Sequence, residues 1–178
     1  ERIDRQVSLV DNVITALSDI AKLPEPTVSR CDLEDLVRGV LASVSLPEDI
    51  DVEFRFEKGP LFAMIDPNQL AIVFRNLLRN ARDAMPDGGK ITISGAVGNG
   101  ELTVSVKDTG SGIESELIDR ITEPLFSTKA RGMGLGLAIC VAILQKNRGR
   151  LQVASRVGQG ATFTVHFTNV ASDGSQCL

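Results

Sequence analysis

The chain has 178 residues, 43% of them hydrophobic, enough for one proper core within the ordinary globular range. Nineteen basic against twenty-three acidic residues leave a net charge of −4 with no basic block. This balance argues against a nucleic-acid footprint or a membrane-surface patch and points to proteins or small molecules as partners.

Residues 1–23 place Ile3, Val7, Val10, Ile14, Leu17 and Ala21 at alternating steps of four and three, the spacing of a coiled-coil or bundle seam. Such a helix is about 30 Å long and too one-sided to stand alone in water, so it is expected to pack on a partner, as in a homodimer. Its charged start, Glu1-Arg2-Ile3-Asp4, carries neither methionine nor a signal pattern, and the chain reads as part of a longer protein. No apolar run reaches the roughly 20 residues of a membrane span, so no membrane contact is expected of it. Pro24 and Pro26 break the helix into a linker that ends at Thr27, and 28–170 is expected to form the main domain.

Asp32 can cap a helix with Leu33, Leu36, Val37, Val40, Leu41 and Val44 on one face, ending before Pro47. Two extended runs, 50–56 and 61–65, read as neighbouring strands. Pro67 opens a second helix bearing Leu70, Val73, Phe74, Leu77, Leu78 and Ala81 on one face, which ends near Pro86-Asp87-Gly88-Gly89. Strands over 90–97 and 101–106 flank Gly98-Asn99-Gly100, a hairpin signal. A glycine-rich stretch over 107–136 holds at most a short helix at 114–121. A third helix over 134–147 and strands over 150–155 and 162–168 follow, and the small, polar tail 171–178 reads as disordered. This order of helices and antiparallel pairs predicts an α+β two-layer sandwich, with helices on one face of a mixed sheet. Cys31, Cys140 and Cys177 show no CxxC spacing, so no disulfide framework or zinc site is expected and a reducing, cytoplasmic setting is.

Four motifs bear on chemistry. Asn76 and Asn80, four apart, stack on one helix face at the margin of the apolar stripe, where an amide oxygen suits Mg²⁺ without adding charge. The same pair also fits solvated helix-flank asparagines. Lys107-Asp108-Thr109-Gly110-Ser111-Gly112-Ile113 follows a strand, placing a carboxylate to accept from an exocyclic amine such as that of adenine; Asp-x-Gly turns are also common. Gly132-Met133-Gly134-Leu135-Gly136-Leu137 runs into an apolar helix whose first amides attract phosphate oxygens. Before it, Phe126-Ser127-Thr128-Lys129-Ala130-Arg131 supplies cations and hydroxyls in a segment long enough for a lid.

Taken in order, the asparagine pair, Asp-x-Gly-x-Gly, a Phe-containing lid, Gly-x-Gly-x-Gly and the final Gly158-Gln159-Gly160 resemble the N, G1, F, G2 and G3 boxes of the histidine-kinase ATPase family. That family shares its Bergerat-type fold with gyrase, MutL and heat-shock chaperone ATPases, and the likeness covers about residues 30 to 168. The resemblance implies ATP and Mg²⁺ as ligands, with Asn80 on the metal, Asn76 supporting the triphosphate and Asp108 reading the adenine amine. Gly110 and Gly112 would shape the base pocket beside Ile113, and Thr162 would help with the base. Gly132, Met133, Gly134, Leu135, Gly136 and Leu137 would face the phosphates under a lid containing Phe126 and Thr128. At the position of Asn76 the gyrase-like members carry a glutamate base that activates water, which an asparagine cannot do, so transfer to a protein acceptor is favoured over hydrolysis.

Many histidine kinases have lysine where Asp83 stands, so the cation that reads the phosphates is Lys129, Arg131 or Arg79, in that order. The lid and the 80–85 helix look most like the nitrogen-regulation and oxygen-sensing sensor kinases. The resemblance also makes 1–23 the second helix of a dimerisation hairpin whose first helix bears the phosphoacceptor histidine, with a response regulator as the next acceptor. His166, within the last strand, matches no acceptor motif and reads as structural. A serine or threonine kinase of the same superfamily and a non-catalytic dimeric scaffold are the rival readings.

Overall fold

Asp32 and Asp66 each start a helix by turning a carboxylate back onto its first amides. Asp32 Oδ1 accepts from Glu34 N at 2.9 Å, and Asp66 Oδ1 accepts from Asn68 N at 2.9 Å and Gln69 N at 3.2 Å. The computed structural model describes residues 23–56, 61–98, 100–127 and 134–168. In chain order these form β1 (Ser29–Asp32), α1 (Leu33–Ala42), β2 (Ile50–Phe56), β3 (Phe62–Ile65), α2 (Pro67–Asp83), β4 (Gly89–Gly98) and β5 (Glu101–Asp108). A 3₁₀ turn (Ser115–Leu117), α3 (Gly136–Lys146), β6 (Gly149–Ser155) and β7 (Ala161–Phe167) complete them. The seam helix expected at 1–23 and the tail at 171–178 lie outside the described residues, Leu23 excepted.

Five strands form one sheet in the order β2-β4-β5-β7-β6, with β2 parallel to β4 and the other pairs antiparallel. β4 and β5 meet in register from Gly98 opposite Glu101, the hairpin read from Gly98-Asn99-Gly100. β2 and β3 are not neighbours, contrary to expectation. β3 pairs antiparallel with β1 in a separate two-stranded sheet, while β2 joins β4, so that β3 and α2 lie on the crossover between two parallel strands.

Strand alternation divides the large sheet into two faces. Ile91, Ile93, Leu102, Val104, Val106, Phe163, Val165 and Phe167 are buried beneath the helices. The alternate positions carry Thr92, Ser94, Thr103, Ser105, Thr164 and His166, with Ser105 Oγ and Thr164 Oγ1 2.8 Å apart across the strands. α2 contributes the apolar face read from the sequence and packs on β5; α3 packs on β6 and on α2, and α1 packs on α2. The result is an α+β two-layer fold with helices on one face of a mixed sheet. Both outer strands of the large sheet bear charges: Glu53 on β2, bonded to Arg55 of the same strand and to Lys90 of β4, and Arg150 on β6, bonded to Glu101. His166 sits in that second group, its Nε2 3.0 Å from Gln152 Oε1 and its Nδ1 3.2 Å from Glu101 Oε2. Among the described residues no helix is long and apolar enough to cross a membrane.

Phe74 is fully buried between the helices and the sheet. Phe74→Ala should cost about 3–5 kcal/mol of folding stability, read as a lowered urea midpoint at unchanged slope.

Candidate functional site

Asn76 and Asn80 are both half-buried along the flank of α2, and Asp83 continues the same stripe at the i+7 position. α3 begins directly against this flank. A Cβ added to Gly136 would stand 3.3 Å from Asn76 Oδ1, so the first residue of α3 approaches the amide as closely as a glycine allows. Among the described residues no side chain caps this end of α3. The start of the helix therefore lies beside Asn76, and a helix start is a place that attracts anions.

One turn along α3, Cys140 is buried, with its thiol 3.8 Å from the Val73 carbonyl oxygen. Burial pushes the thiol up to about 12, against a hydrogen bond from the Asn76 side chain that pulls the other way. Cys140 thus packs against α2 at Val73, one turn before Asn76, a contact that sequence reading missed. The signal was its position four residues after Gly136, on the same helix face.

The second half of the site lies at the end of β5. Asp108 is 1% exposed and continues the buried face of Leu102, Val104 and Val106. Its Oδ1 accepts from Gly110 N at 2.9 Å and from Ala161 N at 3.2 Å, which fixes the carboxylate against the start of β7. Gly160, at φ 79°, brings its backbone against the Asp108 carbonyl so tightly that any Cβ would collide with it. Gly112, at φ 72°, does the same against Arg156 O. The two loops are also bolted together, with Gly158 N donating to Ser111 O at 2.7 Å and Ile113 N to Ser155 Oγ at 2.8 Å. Ser111 N donates to Ala84 O at 3.1 Å, tying this assembly to the end of α2.

The structure does not bring Thr162 to Asp108. Thr162 pairs with Lys107 and alternates onto the polar outer face of the sheet, while Ala161 occupies the buried face and supplies the amide. The parity was legible: Ala161 precedes Phe163, Val165 and Phe167 by even steps, as Asp108 follows Val106.

The remaining expected residues divide as follows. Leu135 is buried, and Ile113, Phe126 and Leu137 pack half-buried against the core. Leu125, at φ 70°, donates its amide to Gly134 O at 2.9 Å, so the described ends of the lid segment meet. The Arg120 guanidinium lies 4.5 Å over the Phe126 ring. Arg79 is exposed, and Asp83 is bonded by Arg82, Nη2 to Oδ1 at 2.9 Å. Thr128, Lys129, Arg131, Gly132 and Met133 lie outside the described residues.

Residues 65–170 match the family described as histidine kinase-, DNA gyrase B-, and HSP90-like ATPase. The chain belongs to this family. Sporulation kinase C of Bacillus subtilis is 35% identical over 164 residues, which are 90% of this chain and 38% of that protein. The chain spans well under half the length of the curated relatives it matches. Two solved structures are similar as well. Full-length ShkA in complex with AMPPNP has a TM-score of 0.79 at 25% identity, covering 95% of this chain and 37% of that one. Histidine kinase ThkA in complex with the response regulator TrrA has a TM-score of 0.74 at 26% identity, covering 93% and 48%. In this ATPase family member the two halves of the candidate site are the Asn76–Gly136 contact and the Asp108–Ala161 contact.

The buried thiol gives a pH dependence. The folded state holds its proton to about 12 and the unfolded state releases it near 9.0, so the contribution of Cys140 to stability is complete below about pH 9 and is lost as pH rises toward 12. In a Cys31→Ser, Cys177→Ser background, the urea midpoint should fall more between about pH 8 and about pH 10.5 with Cys140 present than with Cys140→Ala.

Proposed function

We propose that this chain is the ATP-binding catalytic part of a sensor histidine kinase, passing the γ-phosphoryl group of ATP to a histidine of the same or a partner chain and thence to a response regulator. The observation that carries this reading is the seating of the uncapped start of α3 against Asn76, with the Asp108 carboxylate fixed at the far end of the same helix-and-strand frame. The relatives' own names favour a histidine kinase over a serine or threonine kinase or a scaffold.

In this reading Asp108 accepts a hydrogen bond from the adenine amine, in a pocket walled by Gly110, Gly112 and Ile113. The α3 amides receive phosphate oxygens without adding side-chain charge. Asn80 and Asn76 offer neutral amide oxygens, a donor set that fits Mg²⁺, which keeps waters and shares phosphate oxygens. Bound there, Mg²⁺ would neutralise charge on the phosphates. Lys129, Arg131 and Arg79 are the candidate cations for the γ-phosphate. In the transfer the bond from the γ-phosphorus to the β,γ-bridging oxygen breaks, a phosphorus–nitrogen bond forms, and the acceptor imidazole loses its proton as ADP leaves. The protein contributes positioning and charge, not a covalent intermediate. Asn76 cannot take a proton from water, which disfavours hydrolysis. Residues 1–27 are read as the second helix of a dimerising hairpin plus its linker, 28–170 as the ATP-binding domain, and the whole as working in the cytoplasm.

The test mixes the chain with radiolabelled ATP, Mg²⁺ and a separate histidine-bearing hairpin. Acid-labile label on the hairpin is expected; acid-stable label on a hydroxyl side chain would transfer the assignment to the serine kinases. Asp108→Asn and Asn80→Ala should each weaken ATP binding about tenfold or more by calorimetry, equivalent to at least about 1.4 kcal/mol. Unchanged affinity in both would remove the site.

A further inference from the structure

At the ends of α2 and α3 remote from the Asn76–Gly136 contact, three polar side chains are buried together. Asp66 is 6%, Gln69 5% and Asn147 3% exposed. Asn147 Oδ1 accepts from Asp66 N at 2.8 Å, and its Nδ2 donates to Gln69 Oε1 at 2.9 Å and to Ile143 O at 3.0 Å. These bonds fix both amides in one orientation, since the carbonyl of Asn147 must face an N–H and its nitrogen must face oxygens.

What remains of the cluster's bonding capacity goes to the segment that enters the domain. Asp66 Oδ2 accepts from Thr27 N at 2.8 Å, and Gln69 Nε2 donates to Pro24 O at 2.9 Å. Lys146, the last residue of α3, adds Nζ to Leu23 O at 2.7 Å and to Glu25 Oε1 at 3.0 Å. Leu23 packs half-buried against the core. Three of these four bonds are to backbone atoms, so they fix the path of the chain largely independently of the side chains the segment carries. Asp66 also starts α2 and Asn147 ends α3, so the segment is fastened to the same two helices whose other parts carry Asn76 and Gly136.

We infer that Asp66, Gln69 and Asn147 are positioning residues that clamp residues 23–27 to α2 and α3, so that whatever precedes them is presented to the nucleotide cleft at a set distance and angle. This rests on the kinase reading above. Their contribution is to the rate of transfer, not to nucleotide affinity. A polar clamp suits this task better than an apolar one: each of its hydrogen-bonding groups can exchange its partner for water, so that releasing the segment exposes little apolar surface beyond Leu23.

The experiment uses Asp66→Asn and Gln69→Met. The first keeps an oxygen for the α2 cap and places an amide nitrogen opposite Thr27 N–H; the second keeps the volume and removes the donor to Pro24 O. Hydrogen exchange of the chain is measured together with label transfer in the kinase that carries it. Peptides over 23–28 should exchange about tenfold faster in the variants while those of α2 and β4 do not change. ATP affinity should stay within about twofold, and the rate at saturating ATP should fall about tenfold, a change in kcat without one in KM. Asn147→Gln, which keeps both amide functions, should recover part of the rate.

Fast exchange at 23–28 in the unaltered chain, or a released segment with full kcat, overturns the inference. If either variant loosens α2 as well, Lys146→Gln, outside the helix cap, replaces it with the same two readouts. An unaltered kinase that binds no ATP would overturn the functional reading, a result distinct from the exchange measurement, which still reports whether the clamp exists.

Discussion

The site depends on how closely α3 can approach α2. Gly136 at its start leaves room only for the Asn76 amide, and Cys140 one turn later sets its sulfur against the Val73 carbonyl. These contacts bring a helix start beside a neutral carboxamide. A side chain at position 136 would press on the Asn76 amide oxygen, which would have to give by a few tenths of an ångström. The chemistry proposed for the chain needs helix start and carboxamide at once, because a triphosphate and its metal must be held together.

The sheet supplies the other fixed point. Asp108 terminates β5 on the buried face, and the amide of Ala161 at the start of β7 meets it because the two strands are adjacent and in register. The loops beyond these strand ends are joined by backbone bonds and by Ser155, so the carboxylate is framed by main chain instead of by mobile side chains. At the other end, Leu125 N donates to Gly134 O at 2.9 Å.

Much of this was legible in the sequence wherever the information is local. The apolar faces of α1 and α2, the hairpin between β4 and β5, and the glycine-framed Asp108 follow from spacing alone. Strand partnership does not. β3 is too short to declare its neighbour, and its pairing with β1 depends on residues 29–32, whose mixed sequence, Ser-Arg-Cys-Asp, has no alternation to mark it as a strand. Thr162 lies one step of strand parity from Ala161, whose amide meets Asp108, and a shift of one residue turns a side chain to the opposite face. Nothing in the helical patterns marks Gln69 and Asn147; only tertiary contact 78 residues apart shows them buried and bonded to each other.

The charged outer strands have one more consequence. A β-sheet whose margins are bare is an invitation to fibre growth, each new molecule adding its backbone to the last. Here Glu53, Arg55 and Lys90 on one margin and the Arg150–Glu101 pair beside the other place fixed charge where a newcomer would have to lie. Another copy of the chain is thereby turned away from the sheet margins, and the sheet stays private to each molecule.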